Sequence, residues 1–333
     1  MRIAFDLRPV GTEYAGPRAI LEGWHRGWAT AFPQDDVVLV GFDGSPSRLD
    51  LLRGKLGLVS SPADSWVVSS SPTVLSAFVG SKRRVTVCHD FGHLAQPERF
   101  TLLQRTFRWF IWNRAFGRAA IVLANSDETR IQVSERLPQA CVRVLSWAPS
   151  VTGIQMGGDR QSRSGLLAVA HRENKPPSRA VNAWHHAFPD EHRRPPLTVL
   201  AGDLVSTVSP EPGLTVLSKV SDEVYRRLVQ ESIAVIYLSD FEGLGLPCFE
   251  VMAAGTPLVT SNLPVFRDNL GEEYRGISYE NPHLLLRAVV EDESVWASCR
   301  SQLQARGRKA DDQLQLEISL VRDCMLNQAE SWG

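Results

Sequence analysis

Twelve short runs rich in valine, isoleucine and leucine divide this chain of 333 residues, and longer helical patterns separate them. Near-continuous apolar runs of this kind are typical of parallel strands buried on both faces of a sheet. The runs form two series, so the pattern predicts two doubly wound α/β domains. The predicted strands lie at 2–6, 36–42, 65–70, 84–90, 119–126 and 142–147, and at 164–171, 196–203, 214–220, 232–240, 256–262 and 276–280.

The chain is long for a single hydrophobic core, because domains typically hold about 100–150 residues. The apolar periodicity stops near residues 150–164, where glycine, serine and polar residues take over. We therefore expect an N-terminal Rossmann-like domain over 1–150 and a C-terminal Rossmann-like domain over 164–310. A last helix is expected over 311–333, packing back toward the N-terminal domain. Its apolar face holds Leu314, Ile318, Val321 and Met325.

Charge is distributed unevenly along the chain. Residues 1–150 carry 18 Lys and Arg against 13 Asp and Glu, whereas acidic residues are in excess in the rest of the chain. A basic first half suits an anionic partner such as membrane phospholipid or a phosphorylated lipid carrier, with an uneven solvated surface as the alternative.

Five scattered cysteines without a C-x-x-C pair favour a reducing compartment. No apolar stretch approaches the ~20 residues that span a bilayer, and the N-terminal run is too short for a signal peptide. These features predict a cytoplasmic protein, with peripheral contact at the inner face of the membrane through its basic half. A nucleic-acid partner is not expected.

The segment FEGLGLPCFE (241–250) holds Glu242 and Glu250 eight positions apart. An apolar run before it predicts a strand, and Pro247 suits the first turn of a following helix. Gly255 suits the end of that helix. Glu242 is therefore expected on the loop between strand and helix, and Glu250 on the first or second turn of the helix.

Glycines in this loop let backbone N–H groups approach a ligand closely, and a helix N-terminus favours negative charge. Two carboxylates beside a phosphate would repel it, so we expect them to accept hydrogen bonds from hydroxyl groups. A nucleotide sugar carries hydroxyl groups on both sides of a diphosphate, and it therefore fits this arrangement.

Residues 237–272 (YLSDFEGLGLPCFEVMAAGTPLVTSNLPVFRDNLGE) resemble the signature of retaining glycosyltransferase family 4, which contains an E-x7-E element. The segments 85–100 and 120–129 resemble further parts of the family pattern. The resemblance implies the GT-B fold, in which two Rossmann-like domains face each other across a cleft. The N-terminal domain would take the acceptor, and the C-terminal domain would take the nucleotide sugar.

The same resemblance implies an enzyme of polysaccharide biosynthesis. It would be a retaining hexosyltransferase that moves a sugar from a nucleotide-diphosphate sugar to a hydroxyl of a glycan, a glycolipid or a lipid carrier. The family is thought to attack from the side of the leaving group, with a phosphate oxygen accepting the proton of the acceptor hydroxyl.

The resemblance also implies roles for individual residues. Glu250 would bind the ribose hydroxyls, and Glu242 would lie beside the transferred sugar. A cationic clamp on the diphosphate falls to Arg172 and Lys175, which stand closer together than the family's usual pair, so Arg179 is a possible substitute. Backbone groups near the donor would come from Gly243, Leu244, Gly245 and Leu246.

In the first domain the resemblance places His89 against the donor sugar, with Asp90 orienting its ring. A histidine fixed by core hydrogen bonds is the alternative. The loop at 10–20 resembles the glycine loop of the family, where Gly16 approaches the diphosphate and Arg18 supports it. A plain turn is the alternative there.

The segment 100–118 is rich in aromatic residues and arginine. Phe107, Phe110, Ile111 and Arg114 fit a helix at a membrane interface that binds anionic lipid. A core helix is favoured, however, because an aromatic stripe at helical spacing usually packs inward and arginine stems cover apolar surface.

The sequence has no Asp-x-Asp motif where a metal ion would bridge a diphosphate, so neither a metal nor a cofactor is expected beside the donor. Two alternatives stay open. One is a catalytically silent GT-B subunit that binds a nucleotide sugar or glycan, which the close spacing of Arg172 and Lys175 favours. The other is a GT-B epimerase or hydrolase, which would convert the nucleotide sugar without an acceptor.

Overall fold

The structure is a computed structural model of the chain. It describes residues 1–9, 15–42, 46–58, 64–79, 83–89, 91, 100–242, 244–278 and 280–330. The chain divides into two compact units. Unit 1 combines residues 1–147 with 312–333, and unit 2 comprises residues 148–311.

Unit 1 contains, within the described residues, a sheet of six parallel strands. The strands are β1 (Arg2–Asp6), β2 (Asp36–Val40), β3 (Trp66–Ser69), β4 (Arg84–Cys88), β5 (Ile121–Ala124) and β6 (Val142–Val144). The helices are α1 (Ala15–Ala31), α2 (Arg48–Leu56), α3 (Val74–Phe78), α4 (Leu102–Arg118) and α5 (Asp127–Arg136). The strand order is β2-β1-β3-β4-β5-β6.

Unit 2 repeats this architecture with a different strand order, β12-β11-β10-β7-β8-β9. The strands are β7 (Leu166–Val169), β8 (Leu197–Leu200), β9 (Leu214–Leu217), β10 (Ala234–Tyr237), β11 (Leu258–Ser261) and β12 (Ile277–Ser278). The helices are α6 (Pro177–Ala187), α7 (Asp222–Glu231), α8 (Leu246–Ala254), α9 (Pro264–Leu270), α10 (Pro282–Glu291) and α11 (Glu293–Glu330).

Each of the twelve predicted apolar runs contains one of these strands, and neighbouring strands are parallel. The central strands explain why the prediction works. All four residues of β5 are fully buried, and so are all four of β10. A strand covered on both faces has no polar alternation, and this is the pattern that predicted two doubly wound α/β sheets.

The last part of α11 belongs to unit 1. Its predicted apolar face is fully buried, through Leu314, Ile318, Val321 and Met325. Beside this face, Arg322 donates two hydrogen bonds of 2.8 and 3.0 Å to the buried carboxylate of Asp35. The N-terminal ammonium group and the Trp28 indole donate to the same carboxylate. The C-terminal segment is thus held to unit 1 by apolar packing and by a buried ion pair.

Helix α4 contradicts the favoured prediction of an inward-packing stripe at Phe107 and Phe110 and confirms it at Ile111. Phe107 and Phe110 are exposed, while Ile111, Ala115 and Phe116 fill the buried side of the helix. The inward face of the helix is thus formed by Ile111 with Ala115 and Phe116, and the two phenylalanines lie outside it. Within the part of the chain that the structure describes, no helix combines the length and apolar character needed to cross a bilayer.

Candidate functional site

The sheet of unit 2 has one position where its winding changes direction. Strands β7 and β10 lie side by side in parallel there, although the connection from β7 runs to β8 on one side and that from β10 runs to β11 on the other. In open α/β sheets, ligands bind beyond the carboxyl ends of the strands at such a position. The loops that follow β7 and β10 carry the predicted residues of the donor site.

Asn174 joins these two loops. Its Nδ2 donates to Ser239 Oγ at 3.0 Å and to the backbone oxygen of Phe241 at 2.6 Å, and its own backbone oxygen accepts from Asp240 N at 2.8 Å. Sequence reasoning did not select this residue. Its only sequence signal is an amide side chain in the loop that follows a buried strand, where function is expected.

Lys175 and Glu242 meet at the junction of the two loops. Lys175 Nζ donates to Glu242 Oε1 at 2.8 Å and to the Tyr237 hydroxyl at 2.8 Å, and it lies 4.6 Å from the centre of the Tyr237 ring. The two charged side chains are only 5% and 13% exposed. Burial lowers the pKa of Lys175, and the Glu242 carboxylate acts in the opposite direction. The structure thus joins two of the predicted residues in a buried ion pair.

Helix α8 begins at Leu246, four residues after Glu242, and its two ends confirm the predicted roles of proline and glycine. Pro247 lies in its first turn, and Gly255 ends it in a left-handed conformation with φ +61°. Gly245 precedes the helix with φ +70°, a conformation that side-chain-bearing residues rarely adopt. The backbone oxygen of Leu244 accepts a hydrogen bond of 2.6 Å from Asn269 Nδ2.

Glu250 lies on the second turn of α8, as predicted. The Tyr225 hydroxyl, on α7, donates to its Oε2. Burial raises the pKa of Glu250 to about 7, against the opposing effects of the Tyr225 hydrogen bond and the charge of Lys175. Burial also raises the pKa of Tyr225, so its hydroxyl keeps its proton. The sequence analysis did not select Tyr225, because this residue lies on another helix, 25 positions before Glu250.

The other predicted cations have different surroundings. Arg172 is exposed, and its backbone oxygen accepts from Lys175 N at 3.0 Å, which closes a tight turn. Arg179 makes two hydrogen bonds, of 2.7 and 3.1 Å, to the carboxylate of Asp240. Of the predicted cations, Lys175 is therefore the one that the structure buries, and it pairs with Glu242.

Unit 1 carries the remaining predicted residues. His89 follows β4 and is partly buried, and its Nε2 lies 2.8 Å from the backbone oxygen of Ser70, so Nε2 carries the proton of that bond. Gly16 lies in the first turn of α1 and not in a loop. The missing N–H of the adjacent Pro17 costs nothing at the start of a helix, which explains why the helix begins this early.

Arg18 also lies on α1 and pairs with Glu22 at 2.8 Å, one helical turn away. Asp90 and Gly243 fall outside the described residues. Within the described part of the chain, no three His, Cys, Asp or Glu side chains cluster in a way that could hold a metal ion. The metal-independent reaction stays a prediction.

Residues 201–308 match the family described as Glycosyl transferases group 1. The match lies within unit 2 and contains Glu242, Glu250 and the segment whose resemblance was noted in the sequence. The matched residues make up about a third of the chain.

Two relatives share short segments with this chain. The O-antigen chain mannosyltransferase RfbU of Salmonella typhimurium is 33% identical over 91 residues, which cover 27% of this chain and 23% of RfbU. The serotype-specific mannosyltransferase WbdA of Escherichia coli is 35% identical over 75 residues, covering 22% of this chain and 9% of WbdA. The shared segments thus span less than a quarter of either relative.

Solved structures are similar over nearly the whole chain. Sucrose-phosphate synthase from Thermosynechococcus elongatus has a TM-score of 0.68 at 13% identity, with all of both chains covered. HepE from Anabaena, in complex with UDP and glucose, has a TM-score of 0.65 at 15% identity over 97% of this chain and 99% of HepE.

WaaG, a glycosyltransferase involved in lipopolysaccharide biosynthesis, has a TM-score of 0.61 at 14% identity over 97% of this chain and 99% of WaaG. At these identities the similarity is one of fold. Together with the two parallel sheets, it confirms the predicted GT-B class of α/β fold.

Proposed function

We propose that this protein is a retaining glycosyltransferase that moves a sugar from a nucleotide-diphosphate sugar to a hydroxyl of a glycan, a glycolipid or a lipid carrier, without a metal ion. The observation that carries the proposal is the cluster at the carboxyl ends of β7 and β10. There a buried lysine pairs with a glutamate on the loop, and a second glutamate follows on α8; both glutamates lie within the segment that matches glycosyl transferases group 1.

The cationic part of the cluster suits a diphosphate. Lys175 is buried and held on Glu242, so its charge needs no further ordering when an anionic ligand arrives. The N-terminus of α8 adds a positive partial charge, as helix N-termini do. A leaving nucleoside diphosphate would be stabilised there as it separates from the sugar.

The two carboxylates suit hydroxyl groups. Glu250, with Tyr225 holding one carboxyl oxygen, would accept hydrogen bonds from the ribose hydroxyls through the other. Glu242 would lie beside the transferred sugar, where its negative charge stabilises positive charge that develops at the anomeric carbon. Glu242 is then an electrostatic and positioning residue and not a nucleophile.

The proposed reaction is a direct exchange at the anomeric carbon. The acceptor oxygen forms a bond to that carbon while the bond to the diphosphate oxygen breaks, and the hydroxyl proton passes to a phosphate oxygen of the leaving group. In unit 1 we keep His89 as a contact to sugar hydroxyls. Because the sequence relatives are named mannosyltransferases, a nucleotide-diphosphate mannose is the first donor to test.

The experiment compares donor binding in three variants. Nucleotide-diphosphate sugars are screened for thermal stabilisation, since a ligand that binds the folded state raises its apparent stability. Lys175→Met and Glu250→Ala are each expected to weaken binding by about tenfold or more, given the loss of a buried charge contact. Lys219→Ala, an exposed lysine of the same unit, is the matched control.

Turnover then separates the enzyme from its alternatives. A transferase releases nucleoside diphosphate at a much higher rate when acceptor is present, and Glu242→Gln slows this release while donor binding persists. Conversion of the donor without an acceptor would favour an epimerase or hydrolase instead. Binding without release, with every acceptor tried, would favour a silent subunit.

A further inference from the structure

Unit 1 contains a cavity of about 500 Å³. This volume lies within the range of about 300–1,000 Å³ that is usual for small-molecule sites. The cavity opens between α2, α3, the end of β4 and α4. Its lining consists of Pro9, Pro17, Leu52, Lys55, Leu56, Ser71, Pro72, Val74, Val87, Cys88, His89, Gln104, Phe107, Arg108, Ile111, Trp112 and Phe116.

The chemistry of this lining is apolar at most positions and basic at a few. Aliphatic and aromatic side chains predominate, and none of the lining residues is acidic. The positive charges come from Lys55 and Arg108. The Arg108 guanidinium lies 4.6 Å from the centre of the Phe100 ring and 5.6 Å from the Trp112 ring, so its charge is held in place beside the cavity. Such a lining suits a hydrocarbon chain that ends in an anionic group.

The mouth of the cavity continues onto an exposed apolar surface. Phe107 lines the cavity and is nevertheless 53% exposed, and Leu52 lines it from α2 and is also exposed. Single exposed apolar side chains are ordinary, but a contiguous set marks an interaction surface. The set on α4 consists of Leu102, Leu103, Phe107, Trp109 and Phe110.

Neighbouring elements enlarge this surface. Phe78, at the end of α3, is exposed and packs against Phe110 with ring centres 6.3 Å apart. Arg114 lies over both rings, at 5.5 and 5.3 Å from their centres. We call this set, the five residues of α4 with Phe78, the α4 face.

Charge indicates what covers the α4 face. Helix α4 carries four arginines and no acidic residue. A water-facing helix normally turns polar residues outward, whereas α4 turns leucine and aromatic side chains outward and flanks them with arginine. Aromatic side chains beside cations on an exposed helix are the pattern of a helix that lies in the interface of an anionic bilayer.

We propose that unit 1 takes a phosphate-bearing lipid from an anionic membrane. The α4 face lies on the bilayer, the cavity takes the hydrocarbon chain of the lipid, and the cations at the cavity bind its phosphate. This inference rests on the proposed function for its consequence, which is that the acceptor class is a lipid-linked hydroxyl. The lipid binding itself requires no donor and is tested without one.

Alkyl phosphates test the cavity, with the full chain and no donor present. Dodecyl phosphate, below its micelle concentration, is expected to bind about tenfold or more tightly than butyl phosphate, because each methylene that leaves water adds to the affinity. Inorganic phosphate serves as the probe without a chain. Equal affinity for dodecyl and butyl phosphate would overturn the proposal.

Two substitutions at one cavity position connect this binding to the cavity. Val74 lies on the lining, so Val74→Phe places a ring in part of the space that the hydrocarbon chain would occupy and is expected to reduce the advantage of dodecyl over butyl phosphate. Val74→Ala leaves the space open and is expected to keep it. Thermal unfolding of both variants shows that each is folded. If Val74→Phe is folded and binds dodecyl phosphate like the parent, the cavity is not the site.

Vesicles test the α4 face. The protein is expected to float with phosphatidylglycerol vesicles and not with phosphatidylcholine vesicles, and Leu103→Glu is expected to abolish the association. Leu103 is 79% exposed, so this change is not expected to disturb the core. Leu284→Glu, at an exposed leucine of α10, is the matched control and is expected to float like the parent.

A second vesicle experiment tests the contribution of charge to membrane binding. Arg105→Gln combined with Arg118→Gln should weaken flotation, and added salt should do the same, because charge attraction is screened. Flotation that Leu103→Glu leaves unchanged would overturn the α4 face as the membrane contact. Donor binding to unit 2 is measured separately, so failure of the lipid tests and failure of the proposed function are distinguishable.

Discussion

Glu250 illustrates how one buried side chain couples charge to stability. Burial raises its pKa from 4.5 to about 7. A carboxyl group whose pKa rises on folding favours the folded state only while it is protonated. The stabilisation that is complete below pH 4.5 is therefore lost as the pH rises through about 7.

Glu250→Gln tests how much stability the protein loses when the buried carboxyl group of Glu250 is charged. The variant is expected to be more stable than the parent above pH 7 by about 2 kcal/mol, a value reduced because the side chain keeps some contact with water. The advantage should vanish in acid. Urea unfolding across this pH range measures it, with Glu231→Gln, an exposed glutamate of α7, as control. A constant difference between parent and Glu250→Gln at every pH would contradict the pKa.

At the scale of single residues, the sequence pattern predicted the two glutamates but not the residues that form hydrogen bonds with them or their loops. Glu242 and Glu250 were selected because glycine and proline mark the loop and helix around them, and this punctuation is local. Tyr225 and Asn174 contact them or their loops from other parts of the chain. The sequence signal for such partners is weak, since side chains that can form hydrogen bonds occur in many loops and helices.

The element that matters most for the proposed site is α8 with the loop before it. Gly245 adopts φ +70°, and a Cβ atom there would lie 3.1 Å from a carbon of the Phe266 ring. Both the backbone conformation and the close ring favour glycine. The start of α8, where a diphosphate would bind, is thus fixed by a residue without a side chain.

Gly245→Ala is expected to destabilise the protein by about 1–2 kcal/mol, because alanine is strained in the left-handed region. Gly117→Ala is the matched control. Gly117 lies in α4, and a Cβ there would meet nothing within 4 Å. That change is expected to be neutral or to stabilise by up to about 1 kcal/mol, since alanine favours helix. Thermal unfolding of both variants decides, and equal effects would contradict the backbone argument.

On the scale of the whole molecule, Asp35 joins parts of unit 1 that are far apart along the chain. It accepts hydrogen bonds from Arg322, from the N-terminal ammonium group and from Trp28. Burial by itself raises the pKa of Asp35, but these donors outweigh it and hold the pKa below its usual range. The stabilisation is present above the ordinary carboxyl pKa and is lost as the pH falls below it.

Asp35→Asn is expected to destabilise the protein by about 3 kcal/mol, because it leaves the Arg322 charge without its buried partner. Asp36→Asn is the control at the next position. Asp36 pairs with Arg2 on the surface, with both side chains about half exposed, and its loss is expected to cost no more than about 0.5 kcal/mol. Denaturant unfolding at neutral pH measures both, and a difference between them that persists at low pH would count against the ion pair.

The sequence by itself determined the two parallel sheets, the helix that follows Glu242 and the buried face of the C-terminal helix. In each case the signal is local, because a strand or helix records in its own residues which of its faces is covered. What only the tertiary structure decided is which distant residues meet. Strand order brings the loop after β7 to the loop after β10, and so pairs Lys175 with Glu242. Tertiary packing also turns the aromatic face of α4 outward, since other residues of that helix already fill the core. A local pattern reports that a surface is apolar, and only long-range packing decides whether the protein itself covers it.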